Sequence, residues 1–104
     1  MLLVMTTVPD ARSGEELASK LVDARLAACV QVLPAMTSVY IWEGEVQRET
    51  EHLLLIKTLP EKWPTISQFI TENHSYEVPE IAAIQVEVVA EPYRKWLGEI
   101  VRAQ

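Results

Sequence analysis

His74, Cys29 and Lys57 are the side chains best suited to chemistry in this sequence, and each has a plainer reading beside the reactive one. His74 opens the stretch His74-Ser75-Tyr76-Glu77-Val78-Pro79-Glu80, which has no helical period. An imidazole there suits copper or zinc, or it simply hydrogen-bonds to backbone as loop histidines do. Cys29 follows two alanines and is either a small buried hydrophobe or a soft thiolate ligand for reduced copper. Lys57 closes an otherwise apolar run, so its ammonium must be paired or solvated. Glu80, beside Pro79, is the partner we expect for it, in an ion pair across a cleft between subunits; the alternative is that both reach solvent.

Glu77 and Glu80 lie three residues apart in extended chain, where side chains leave on roughly opposite sides, so no chelating pair is implied. Tyr76 is the aromatic residue placed to line a small-molecule cleft, with Tyr40, Trp42 and Trp96 as further candidates. Trp96, at helical spacing, reads first as core, and Trp42, at a hairpin end, first as an interface anchor. His52 receives no role. The chain has no glycine-rich phosphate loop, nucleophile elbow, Cys-x-x-Cys or His-Glu-x-x-His, so a binding protein is expected rather than an enzyme.

The elements that must position these residues follow from hydropathy period. Leu2 to Val8 reads as a buried strand ended by Pro9-Asp10. Leu17, Leu21 and Ala24 form one helical stripe, begun by a cap at Asp10 or by the Ser13/Glu16 box. Two long apolar runs, Cys29 to Ile41 and Val46 to Lys57, flank Trp42-Glu43-Gly44-Glu45 as one hairpin. A helix over Pro64, Ile66, Phe69 and Ile70 ends near Asn73, Ile81 to Val89 is a fourth strand, and Pro92 opens a last helix carrying Tyr93, Trp96, Leu97, Ile100 and Val101. This α+β order predicts a ferredoxin-like β-α-β-β-α-β sandwich with an extended β2-β3 hairpin and a C-terminal helix.

At about 3.3 Å per residue, a dozen-residue strand reaches roughly 40 Å, whereas a domain of this size has a radius of gyration of about 13 Å. The hairpin must therefore lean on other copies. Helices on one sheet face leave the other without cover, which argues the same way.

Composition sets the remaining bounds. A length of 104 residues with 49% hydrophobic content predicts one domain, 1–104, with its own core. The net charge of −6 disfavours nucleic acid and anionic membrane surfaces. A lone cysteine, with no basic, apolar leader at the N-terminus, makes a cytoplasmic location the default expectation.

Six co-linear segments then carry a resemblance: Thr7-Val8-Pro9-Asp10, Arg25-Leu26-Ala27-Ala28-Cys29-Val30, Leu33-Pro34-Ala35-Met36-Thr37-Ser38-Val39-Tyr40, Trp42-Glu43-Gly44-Glu45, Ile56-Lys57-Thr58 and His74-Ser75-Tyr76-Glu77-Val78-Pro79-Glu80-Ile81. From about residue 3 to residue 102 the chain resembles the CutA family of divalent-cation tolerance proteins. The resemblance implies a ferredoxin-like homotrimer whose hairpins join sheets across subunits, similar in its core to PII signalling proteins, and linked to copper(II) binding. The family's copper site has a cysteine at the end of the first strand and a His-His pair in the loop. His74 matches the second histidine, but Thr6 and Asn73 stand at the other two places. The resulting expectation is a trimer whose intersubunit clefts bind copper or another divalent cation, with His74 and Cys29 as metal ligands. The rival is a PII-like signalling or scaffold module that binds a small anionic metabolite or a partner protein, with Lys57, Tyr76 and Glu80 at the binding site.

Overall fold

The computed structural model describes residues 1–102. Its elements are β1 (Leu2–Val8), α1 (Ala11–Asp23), β2 (Cys29–Val32), β3 (Met36–Trp42), β4 (Glu45–Thr58), a 3₁₀ turn (Pro60–Lys62), α2 (Trp63–Asn73), β5 (Ala82–Gln85) and α3 (Glu91–Arg102). The fold is mixed α+β, built on an antiparallel sheet ordered β2-β4-β1-β5, with β3 paired to β4 outside that path.

Local chemistry sets the element ends. Of the two caps proposed for α1, the structure uses Asp10, whose carboxylate accepts the Ser13 N–H at 2.7 Å. That bond holds the Asp10 carboxyl below its usual range. The helix closes with paired bonds from Arg25 N–H to Val22 O and from Leu26 N–H to Leu21 O, around a left-handed Arg25 at φ 59°. The hairpin turn holds Glu43 at φ 50° and Gly44 at φ 81°, and positive φ at both central residues is what a tight two-residue hairpin requires.

Two expected strands are corrected. The run from Cys29 to Ile41 is not one strand, because Pro34 has no N–H to give and the three residues Leu33 to Ala35 stand opposite only two of β4, His52 and Leu53. β2 consequently pairs with residues 54–57 of β4, and β3 with residues 45–51. The fourth strand covers Ala82–Gln85 instead of Ile81 to Val89, since only Leu2 to Met5 of β1 lie opposite it.

The overhang survives that correction. β1 meets β4 only from His52 to Thr58, so the first seven residues of β4, with β3 alone beside them, project past the sheet. The molecule measures 45 × 26 × 22 Å.

Alternation along β4 separates two environments. Leu54, Ile56 and Thr58 are buried, and with Val4 and Val8 of β1 they pack under Leu17 and Leu21 of α1 and Ile66 and Ile70 of α2. Gly14 lets α1 lie close, because a Cβ there would sit 3.1 to 3.3 Å from Val32, Val8 and Leu54. The odd-numbered residues face the other way. Leu53 and Leu55, with Leu3 and Met5 of β1 and Ile84 of β5, form an apolar face turned away from α1 and α2 and left partly exposed in the protomer. α3 packs apart from the main core, placing Leu97 and Val101 against Ala28 and Leu59. Trp96, expected first as core from its helical spacing, is 41% exposed and tilted against Tyr93.

Thr6 Oγ1 is the one side-chain polar atom among the described residues that is fully shut off from solvent and has no partner, whereas the equally buried Thr58 hydroxyl donates to Leu26 O at 2.6 Å. A buried unsatisfied hydroxyl costs about 1–3 kcal/mol, and valine keeps the shape. Thr6→Val is therefore expected to stabilise the protein by on the order of 1 kcal/mol. Thermal denaturation checks this, and a lowered melting temperature would contradict it.

Candidate functional site

The clearest hollow lies where the projecting hairpin, the end of β1 and the loop 74–80 come together, a cleft of ≈ 710 Å³. Strand alternation supplies one wall. Ser38, Tyr40 and Trp42 lie on one side of β3, opposite Glu49, Gln47 and Glu45 of β4. The loop supplies the other wall, through Tyr76, Glu77, Val78 and Glu80. Glu51 lines the cleft too, and it is the buried carboxylate of the described residues, at 7% exposure.

His74 fixes the loop. Its Nε2 lies 2.7 Å from Thr7 O, and its Nδ1 lies 3.0 Å from the Tyr76 backbone N. A carbonyl only accepts and an amide N–H only donates, so the ring is neutral, with its proton on Nε2. The Tyr76 ring stacks tilted on the imidazole at 4.8 Å, and its hydroxyl donates to Glu51 Oε2 at 2.9 Å. Burial first, and then the Glu51 carboxylate, push the Tyr76 phenol well above its ordinary value. Tyr40 is raised in the same direction by desolvation, followed by the charges of Glu49 and Glu51. The formal charges lining the cleft, Glu51, Glu77 and Glu80, are all negative, and no lysine or arginine among the described residues lines it.

The expected site residues do not all meet here. Tyr76 and Glu80 line the cleft, while His74 stands behind it, holding the loop. Glu80 is exposed in the protomer rather than buried. Lys57 donates to Gln31 Oε1 at 2.7 Å, on the uncovered sheet face. Cys29 pairs with Lys57, which pairs with Leu3. His74 holds Thr7, four residues further along β1, so the two expected metal ligands lie roughly 13 Å apart along the strand alone. His52, given no role, is half-buried with Nδ1 2.9 Å from Leu33 O, beside the break between β2 and β3.

A copper site of the family pattern finds no fit within one protomer. Both ring nitrogens of His74 already have backbone partners, Asn73 Nδ2 donates to Phe69 O, and Thr6 is sealed under the helices. No three His, Cys, Asp or Glu side chains among the described residues are gathered around one point. Glu51 escaped the sequence reading. Its only signal was an alternation phase shared with Leu53 and Leu55, which the hairpin's charged residues obscure. No helix among the described residues is long and apolar enough to cross a membrane.

Comparison with known proteins gives one consistent answer. Residues 2–100 match the family model of the CutA1 divalent ion tolerance protein. The divalent-cation tolerance protein CutA of Thermus thermophilus is 40% identical over 97 residues, covering 93% of this chain and 94% of that protein. The chloroplastic CutA of Arabidopsis thaliana is 39% identical over 101 residues, yet this chain spans only 56% of its length. Among solved structures, CutA1 of Oryza sativa superposes with a TM-score of 0.95 at 37% identity, covering 99% of this chain and 94% of that one. A mutant of CutA1 from Pyrococcus horikoshii gives 0.93 at 37% identity, with 96% and 97% covered.

Proposed function

The chain belongs to the CutA1 divalent ion tolerance protein family, and on that premise we propose that it works as a homotrimer binding divalent cations in clefts between subunits. The sheet order supports reading the fold as ferredoxin-like, and the sheet face turned away from α1 and α2, with its projecting hairpin, supports assembly into a PII-like trimer. The observation that carries cation binding is Glu51. Its carboxylate belongs to a residue only 7% exposed, and among the described residues its one hydrogen bond comes from a tyrosine, on Oε2, and no ion pair compensates it, while Oε1 stays accessible from the cleft. A buried charge in that position calls for a positive partner. Because no ligand set closes within one protomer, a metal held here takes part of its coordination from a neighbouring subunit. His74 orients the loop in this reading, and Cys29 stands outside the site.

The role is binding in metal tolerance or response to metal ion, without catalysis, and residence in the cytoplasm belongs to the same proposal. The rival, an anionic metabolite anchored by Lys57, gains no support from a negative cleft to which Lys57 contributes no lining. Titration of the full chain with copper(II) and zinc tests the reading. Glu51→Gln is expected to weaken binding about tenfold, the equivalent of about 1.4 kcal/mol. His74→Ala is expected to weaken it less, through the loop. Unchanged affinity in Glu51→Gln contradicts the proposal.

A further inference from the structure

The cleft is larger and more aromatic than a metal ion needs. A water molecule takes about 30 Å³ of liquid, whereas this hollow holds ≈ 710 Å³. Its carboxylates, Glu51 from β4 and Glu77 and Glu80 from the loop, come from two segments and do not converge on a point. Tyr40, Trp42 and Tyr76 line the same cleft. Aromatic faces attract cations through the ring quadrupole and also accept hydrocarbon, a combination that suits an alkylammonium better than a small hydrated ion.

Glu51 adds an independent indication. At 7% exposure it is a buried carboxylate lining the cleft, with Oε2 taken by Tyr76 and no hydrogen bond to Oε1 among the described residues. An N⁺–H donor arriving from the cleft would form the charge-assisted bond that this oxygen lacks.

We propose that this cleft binds an organic ammonium ion, preferentially a diamine on a short aliphatic chain, with one ammonium on Glu51, the second on Glu77 or Glu80, and the methylenes on Tyr40, Trp42 and Tyr76. The inference rests on the reading that the cleft is a cation site left open in the assembly, and it names a class of ligand that needs no metal. Tyr76 positions Glu51 through its hydroxyl.

The test is calorimetric titration of the full chain with 1,4-diaminobutane, with 1,4-butanediol as the uncharged counterpart and zinc chloride in a separate series, the diamine runs being made in excess EDTA. Diamine is expected to bind in EDTA and butanediol is not. Glu51→Gln and Trp42→Ala should each weaken the diamine about tenfold, the loss of one charge-assisted or cation–π contact. Glu77→Gln, on the exposed loop, provides a variant that leaves the buried position untouched, and a smaller loss of diamine affinity there supports the proposal. Diamine binding no better than butanediol overturns it, including the case where a lysine or arginine of a second copy already fills the cleft. Zinc binding without diamine binding overturns this inference and leaves the metal reading standing; diamine binding without zinc binding does the reverse.

Discussion

If copies join through the sheet face as proposed, Leu55→Asp is expected to leave only single chains, each still folded. Leu55 lies on the uncovered sheet face, opposite Met5 of β1 and beside Leu53, in a position that is only half-buried in the protomer. In a lone chain the new carboxylate is free to reach water, so its cost to the fold is small. In an assembly that covers this face, every copy carries an unpaired charge into an apolar interface, at several kcal/mol each even after relaxation. That is enough to move association by orders of magnitude. Light scattering should report the mass of one chain, and circular dichroism should report unchanged helix content. An unchanged mass would mean that this face is not the interface.

The neighbouring residue should behave in the opposite way. Ile56, one step along β4, points at α1 and α2 and is fully buried. Ile56→Ala removes methylenes from a close-packed core and is expected to cost about 2–5 kcal/mol, a large fraction of the roughly 5–15 kcal/mol that holds a typical domain together. Its signature is a lowered denaturation midpoint at fixed protein concentration, with the assembled mass unchanged below the transition. Concentration must be held because assembly adds stability by mass action. If the two substitutions exchanged phenotypes, the phase assigned to β4 would be wrong by one residue, which moves every side chain to the other face.

Much of this architecture was legible because the patterns were strong. Leu17 and Leu21 at helical spacing, the Glu43-Gly44 turn, and Pro60 and Pro64 around the start of α2 each report a local preference, and the structure agrees with all of them. The errors fell where tertiary pairing overrides a local signal. Pro34 lies inside an apolar run, and the sequence alone does not tell whether a strand passes a proline or breaks there. Val86 to Val89 is as strand-prone as any segment, but β1 has no residues left to pair with it beyond Leu2, and only the Val86 N–H reaches Met1 O.

The site was less legible for a related reason. His74 and Cys29 stood out by residue type, yet function in a cleft depends on proximity across strands, and Cys29 sits at the far end of β1 from the loop. Glu51 looked like one more glutamate in a charged strand, among Glu45 and Glu49. Only the fold reveals that it is nearly buried and held by Tyr76.

Sedimentation equilibrium on the unmodified chain at micromolar concentration tests the central claim, that the projecting hairpin and the uncovered apolar face exist to join copies. A mass of three chains of 11.8 kDa is the predicted result. A well-folded species with the mass of one chain would contradict it and would leave the proposed intersubunit cation sites without a second wall.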